Sequence, residues 1–287
     1  MSIVVTGATG QLGRLVVQAL LQRGVPAEEI IATGRRTEAL ADLAERGVVV
    51  RRADFNDQAS LPEAFAGADK LLLVSGSEAG QRVRQHGNAI NAAKAAGVGF
   101  LAYTSGVRAN TSTLLAVQDH RATERLLAEA GIPHARLRNS WYLENYTGQL
   151  PVYLERGIVG AAGTGKVSAA TRAAYAAAAA AVLAGGGHAG AVYELGGEPF
   201  TMAELAEVIS AATGQTVTYT DLPPEQYQAA LVEAGLPEEM AAMVADGDRG
   251  VAAGELLVEG DDLKRLLGRT PTSLADAVAA AVADLRG

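Results

Sequence analysis

Ile3-Val4-Val5-Thr6-Gly7-Ala8-Thr9-Gly10-Gln11-Leu12-Gly13-Arg14-Leu15-Val16-Val17 stands at the head of the chain and decides its fold. Three apolar residues begin it without interruption, as a strand buried on both faces requires. Gly7, Gly10 and Gly13 then follow at three-residue steps, and Leu12, Leu15, Val16, Ala19 and Leu20 form the i, i+3, i+4 stripe of an amphipathic helix. A strand running through a tight turn into a helix leaves free N–H groups and the positive end of the helix dipole at the turn. Residues without Cβ let the backbone close on a pyrophosphate there. The stretch therefore predicts a dinucleotide site.

Glycine spacing alone does not decide this, because Gly157-Ile-Val-Gly160-Ala-Ala-Gly163 repeats it. That copy has no clean strand before it and no helical pattern after it, so it reads as loop. Its continuation, Gly160-Ala-Ala-Gly163-Thr-Gly165-Lys166, nearly spells a P-loop. Val167 stands where the magnesium-holding Ser or Thr belongs, so ATP hydrolysis is not expected.

Composition narrows the class. A chain of 287 residues, 49% hydrophobic, has room for one large domain or for a nucleotide domain with a smaller partner. The absence of cysteine excludes disulfides, thiolate metal sites and cysteine nucleophiles. Met1-Ser2-Ile3-Val4 enters the first strand without a basic and then apolar leader, which predicts a cytoplasmic protein. The apolar run from Ala173 to Ala184 is far shorter than the roughly 20 residues that span a bilayer, so no membrane partner is expected. Net charge is −8, divided unevenly: residues 1–138 hold 16 basic and 13 acidic groups, and 139–287 hold 8 and 19. An acidic C-terminal part argues against nucleic acid, while the mildly basic N-terminal part suits an anionic cofactor. His134 and His188 stand alone, and no metal site is expected. The sequence allows a homodimer but carries no clear mark of one.

Downstream, Glu29 to Thr33 reads as a second strand, with Gly34-Arg35-Arg36 at its end. An NAD site has a carboxylate near this point for the ribose 2′-OH, whereas guanidiniums pair with a 2′-phosphate. NADP(H) is the predicted cofactor, with Arg35, nearer the strand end, the expected contact; the alternative is that Arg35 and Arg36 are a solvated pair at a helix start. Val48 to Asp54 reads as the third strand, with Asp54 either bordering the adenine or serving a turn. Ser60-Leu-Pro-Glu63 reads as a capping box. Lys70 to Val74 is the fourth strand and leads into Ser75-Gly76-Ser77. Helix 80–96 carries His86, expected at the surface, and Phe100 to Ser105 is the fifth strand. The helix from 116 to 130 holds His120 and Glu124, and Pro133 to Arg138 is the sixth strand. Strands alternating with helices predict an α/β protein with a doubly wound parallel sheet of the Rossmann type. Thr201-Met-Ala-Glu204 is a second capping box, and Thr216 to Thr220 a further strand.

Gly7-Ala-Thr-Gly-Gln-Leu-Gly13, Arg35, Tyr103-Thr104-Ser105 and Arg138-Asn139-Ser140-Trp141-Tyr142-Leu143-Glu144-Asn145-Tyr146 together resemble the NmrA-like branch of the atypical short-chain dehydrogenase/reductases. Ala170 to Ala176, Val192 to Gly197 and Thr201 to Glu204 resemble the same branch, so the likeness covers nearly the whole chain. Within it the chain is similar to the type 2 NADPH:quinone oxidoreductases and next to the triphenylmethane reductases. The resemblance implies a Rossmann domain over 1–140 with NADP(H) in its cleft. A smaller α/β lid domain over 141–287 would be interleaved with the first. It further implies that Gly7, Ala8, Thr9, Gly10, Gln11 and Leu12 hold the pyrophosphate and Arg35 the 2′-phosphate. Ser75, Gly76 and Ser77, with Thr104, would line the ribose and nicotinamide side. Asn139, Ser140, Trp141, Tyr142, Leu143 and Glu144 would cross above the nicotinamide. Trp141 and Tyr142 serve equally well as packing at the junction of the two parts.

The Tyr-x-x-x-Lys pair of the wider superfamily is missing, since no tyrosine has a lysine four residues later. Alcohol oxidation and sugar epimerisation need that proton transfer. Reduction of an already electrophilic quinone does not, so the expected reaction is hydride delivery to a quinone-like small molecule in a dry cleft. His120 and Tyr142 are the candidates for the proton, His120 being equally readable as a surface helix residue. The competing functions are a non-catalytic NADP(H)-binding redox sensor and a triphenylmethane or azo dye reductase.

Overall fold

Ile3, Val4 and Val5 are fully buried because β1 (Ile3–Val5) is an inner strand of a seven-stranded sheet. The computed structural model describes residues 1–78 and 80–286 of the chain. The strands β2 (Ile30–Gly34), β3 (Val49–Arg52), β4 (Lys70–Leu73), β5 (Phe100–Gly106) and β6 (His134–Asn139) follow in sequence. After β7 (Ile158–Gly160), β8 (Val192–Leu195) returns to the sheet, which runs β3-β2-β1-β4-β5-β6-β8. All neighbours pair in parallel. The α/β doubly wound arrangement is that of a Rossmann-type fold, and its order reverses between β1 and β4.

Period-two alternation sends side chains to both faces. Ile3, Val5 and Leu72 join Val16, Leu20 and Ala180 in one core, and Val4, Leu71 and Leu73 join Ile90, Tyr103 and Leu127 in the other. The first face is covered by helices Gln11–Gln22 and Arg172–Ala184, which pack on each other. Alanines of the second helix permit the close approach, and Thr171 caps it by accepting from the Ala174 amide. Helices Arg82–Ala95 and Leu115–Ala130 cover the other face.

A third core lies beyond the sheet's edge, where Tyr146, Phe200, Leu205 and Val251 meet. There β7 pairs in parallel with β9 (Tyr219–Asp221), and helices Met202–Thr213 and Glu238–Ala252 pack nearby. Thr201 and Glu204 form the reciprocal capping box that the sequence predicts.

Several local expectations are corrected. The stretch from Gly157 contains a strand, β7, rather than loop alone; at three residues it is too short to give a periodic signal. The strand expected at 216–220 is displaced to β9. Ser60 does not cap its helix, because its hydroxyl donates to Asp57 O and accepts from the Asp54 amide. His86 is fully buried. The sheet also gains a strand beyond the six read from the sequence, β8, drawn from after residue 141.

Candidate functional site

The cleft opens at the carboxyl ends of β1 and β4, the switch point at which such sheets bind ligands. At one end, Gly7 sits at φ +61°, and its carbonyl accepts from Gly10 N–H to close the turn. A Cβ on Gly13 would lie 2.4 Å from Gly7 O, so this glycine is required for the helix to seat against the turn. Helix Gln11–Gln22 has no side-chain cap and no acidic residue in its first turn. Among the described residues, the amides of Gln11, Leu12 and Gly13 find no hydrogen-bond acceptor. Open N–H groups at the start of a long helix, with no competing carboxylate, fit a pyrophosphate.

Arg35 follows β2 and lines the same cavity, as do Thr9, Gly34 and Asp54 to Asn56. Its guanidinium is largely exposed and pairs with Glu78 at 2.8 Å across the cleft mouth. Arg36 does not line it. Asp54 serves the turn, accepting from Asn56 N–H, and it also lines the cavity. The residues present thus fit a 2′-phosphorylated dinucleotide at this end.

A second cavity of about 300 Å³ adjoins the first, also about 300 Å³, and the two share Leu12, Val74, Ser75, Gly76 and Ser77. The cleft is therefore continuous. Its wall at 75–77 is held from below: Thr104 Oγ1 accepts from Ser75 N–H at 2.8 Å, and His86 Nε2 accepts from Gly76 N–H at 3.0 Å. The far side is formed by Asn139, Ser140, Trp141 and Tyr142 after β6, by Leu114, Val117 and His120, and by Met243, Asp246 and Gly247 of helix Glu238–Ala252. Gly247 faces the indole of Trp141 at ordinary contact distance. The Tyr142 ring carries the Arg172 guanidinium 4.6 Å from its centroid and meets Tyr175 edge to face. Burial holds the Tyr142 phenol above its ordinary pKa.

His120 and Glu124, one helical turn apart, part company. His120 lines the cleft, whereas Glu124 takes a two-pronged bond from Arg138 at 2.9 and 2.7 Å and accepts from Ser105 Oγ at 2.6 Å. Glu124 is committed to holding helix Leu115–Ala130 against β6.

Of the residues singled out from the sequence, the cleft gathers Gly7, Thr9, Gly10, Gln11, Leu12, Arg35, Ser75, Gly76, Ser77, Thr104, His120 and Asn139 to Tyr142. It does not gather Ala8, Leu143 or Glu144. Ala8 gives its amide to Thr33 O and is fully buried, Leu143 lies in the core beyond the sheet, and Glu144 accepts the Arg172 amide at 2.8 Å. Sequence reasoning missed Glu78, Arg82 and the 243–247 wall. The last lies on a helix about a hundred residues beyond the other contributors, with no local pattern to connect it.

A Rossmann-type sheet with an anion-ready turn and an adjoining apolar lobe defines a dinucleotide-dependent oxidoreductase scaffold, and the chain belongs to the NmrA-like family, whose profile matches residues 1–252. It is 48% identical over 278 residues to quinone oxidoreductase 2 of Escherichia coli strain K12, covering 96% of this chain and 97% of that protein. The crystal structure of an Escherichia coli NADPH-dependent quinone oxidoreductase complexed with NADPH matches with a TM-score of 0.94 at 47% identity, covering 97% of this chain and 99% of that one. Triphenylmethane reductase from Citrobacter sp., complexed with NADP(H), matches with a TM-score of 0.92 at 40% identity, covering 98% and 100%.

Proposed function

We propose that this chain is an NADPH-dependent oxidoreductase that reduces quinones or similar flat, electrophilic acceptors. The observation that carries the reading is one continuous cleft with open helix amides and Arg35 at one end and an apolar lobe at the other. The relatives whose names specify NADPH-dependent quinone reduction share nearly the full length of the chain. Bound in the cleft, NADPH supplies the hydride. Gln11 and Leu12 hold its pyrophosphate through their amides, and Arg35 leaves Glu78 to pair with the 2′-phosphate. Ser75 to Ser77 line its ribose, and Asn139 to Tyr142 roof the reacting end. Trp141 and Leu114 exclude water and hold the acceptor flat.

Residues 141–287, apart from β8 and helix Arg172–Ala184, act as the lid. No helix among the described residues is long and apolar enough to cross a membrane. The reading is of a cytoplasmic enzyme without a nucleic-acid partner, and it allows a homodimer without requiring one.

The test is NADPH oxidation followed at 340 nm with and without a benzoquinone, repeated with NADH. Quinone-dependent oxidation that prefers NADPH is the expected result. Tight NADPH binding without turnover across quinones and dyes would replace the enzyme with a redox sensor, and turnover of triphenylmethane dyes alone would replace the acceptor class.

A further inference from the structure

His120 is the polar side chain of the acceptor lobe whose two ring nitrogens face different worlds. Its Nδ1 lies 2.7 Å from the hydroxyl of Tyr103, which is fully buried. Its Nε2 makes no hydrogen bond among the described residues, and the ring itself lines the acceptor lobe. Gly106 leaves room for it: a Cβ there would lie 3.1 Å from His120 Cδ2.

Proton counting favours one tautomer. Among the described residues, the close partner of the Tyr103 hydroxyl is His120 Nδ1, at 2.7 Å; the hydroxyls of Thr123 and Ser75 also stand near it, without a direct bond of that length. If Nδ1 carried the hydrogen, the buried phenol would have only the Thr123 and Ser75 hydroxyls left for its own proton, a poorer arrangement than donation to the imidazole nitrogen at 2.7 Å. Tyr103 therefore donates, Nδ1 accepts, and the single ring hydrogen sits on Nε2. His86, one layer deeper, shows the opposite assignment by the same count. Its Nε2 accepts from Gly76 N–H, so its Nδ1–H donates to Thr123 Oγ1 at 2.8 Å, and Thr123 passes its proton to Asp119 O.

We propose that His120 is a catalytic residue that acts as a neutral hydrogen-bond donor, its Nε2–H directed at a carbonyl oxygen of the acceptor, with Tyr103 as the positioning residue that fixes this tautomer. The proposal rests on the reductase reading above. Uptake of the hydride by a quinone places an electron pair on its oxygens and gives a hydroquinone monoanion. His120 stabilises that oxygen by hydrogen bonding and keeps its own proton. Water supplies the proton that completes the hydroquinone, leaving hydroxide to the solvent.

The charges around the ring agree with a neutral group. Arg82 and His86 approach from helix Arg82–Ala95, and Tyr103 from β5. Asp119, on the same helix as His120, faces Arg82 at 3.6 Å. Asp246 and Tyr142 lie on other walls of the lobe, the Asp246 carboxylate being taken by Arg249 and the Leu115 amide. Burial, then the Arg82 charge, push the His120 pKa down to about 3, so no imidazolium is available at neutral pH. A preformed neutral donor needs no proton uptake before each turnover.

The experiment has two arms. In the first, ¹⁵N NMR of the full-length protein, with His120 assigned by its loss in His120→Gln, reports the tautomer without turnover. A ring protonated only at Nε2 from about pH 5 to 8 is expected, with Tyr103→Phe giving mixed tautomers. A ring protonated at Nδ1, or an imidazolium near pH 6, overturns the proposal.

In the second arm, single-turnover NADPH oxidation by benzoquinone is compared across variants at matched cofactor saturation. His120→Phe is expected to slow it about tenfold or more, with NADPH affinity within about twofold of wild type. His120→Gln, which presents an amide N–H near the Nε2 position, is expected to recover most of the loss. Tyr103→Phe is expected to lower the rate several-fold without raising the acceptor KM. The wild-type rate is expected to be level across the same pH range. An unchanged rate in His120→Phe, or a wild-type acid limb that this variant abolishes, overturns the proposal. Failure of the wild type to reduce any quinone would instead overturn the reductase reading, while the NMR arm still decides the tautomer.

Discussion

The two glycine-rich stretches, Gly7 to Gly13 and Gly157 to Gly163, share one spacing and have opposite fates. In the first, the amides at the helix start are left without acceptors among the described residues, and no acid stands in the first turn. In the second, three consecutive amides are already taken by the chain itself. Ala161 donates to Asp248 at 2.7 Å, Ala162 to the Tyr219 hydroxyl at 2.9 Å and Gly163 to Asp221 at 2.8 Å. Glycine lets a backbone turn and expose its N–H groups; the neighbours decide whether a ligand or the protein's own acceptors take them. The near-P-loop at 160–166 is thus occupied from within, a stronger bar to ATP than Val167 alone.

The largest expected effect comes from closing the first turn. In Gly13→Ala the new carbon would meet Gly7 O at 2.4 Å and Gly7 C at 2.7 Å, so the turn must move away from the helix. NADPH affinity should fall about 100-fold or more, roughly 2.7 kcal/mol, and the overpacking should cost on the order of 1–3 kcal/mol of stability. Calorimetric titration beside thermal melting separates the two. Unchanged affinity in a folded variant would erase the distinction between the loops.

Next in size is Arg35→Ala. Charge-assisted hydrogen bonds are worth about 1.5–3 kcal/mol, so NADPH binding should weaken roughly 10- to 100-fold while NADH binding stays nearly constant. Equal losses would remove Arg35 as the 2′-phosphate contact. The present Arg35–Glu78 pair, exposed on both sides, opposes binding only slightly.

What could be read from the sequence follows the same division between local and distant causes. The β1 turn and helix were legible because periodicity and glycines act within fifteen residues, and Arg35 because β2 ends just before it. The Thr201 box was legible for the same reason. Ser60-Leu-Pro-Glu63 has the same form but fails, since Asp54 and Asp57 compete for the Ser60 hydroxyl. His86 looked like a surface residue because nothing local announces that Gly76 and Thr123 satisfy both of its nitrogens. The Met243 to Gly247 wall depends on how a distant helix docks against Trp141 and Leu114, where Gly250 leaves no room for a side chain: a Cβ would meet Leu114 Cδ2 at 2.4 Å.

The smallest expected effect probes the filled loop and carries a sign. Burial pushes the Asp248 carboxyl up to about 6; the Asp221 charge adds to the rise, and the Ala161 N–H bond opposes it. A carboxyl raised above its unfolded value of about 3.9 holds its proton better in the folded chain. Its contribution is therefore full below about pH 4 and is lost as the pH climbs through 6. Asp248→Asn keeps an oxygen for the Ala161 amide and removes the charge. It should raise stability by about 1 kcal/mol above pH 7, with no difference from wild type near pH 4, as read from denaturant melts across pH. Should the variant instead be less stable at pH 7.5, the amide–carboxylate bond would outweigh the cost of burying the charge. The second loop would then be an anion-binding turn as genuine as the first, differing only in that its anion belongs to the chain.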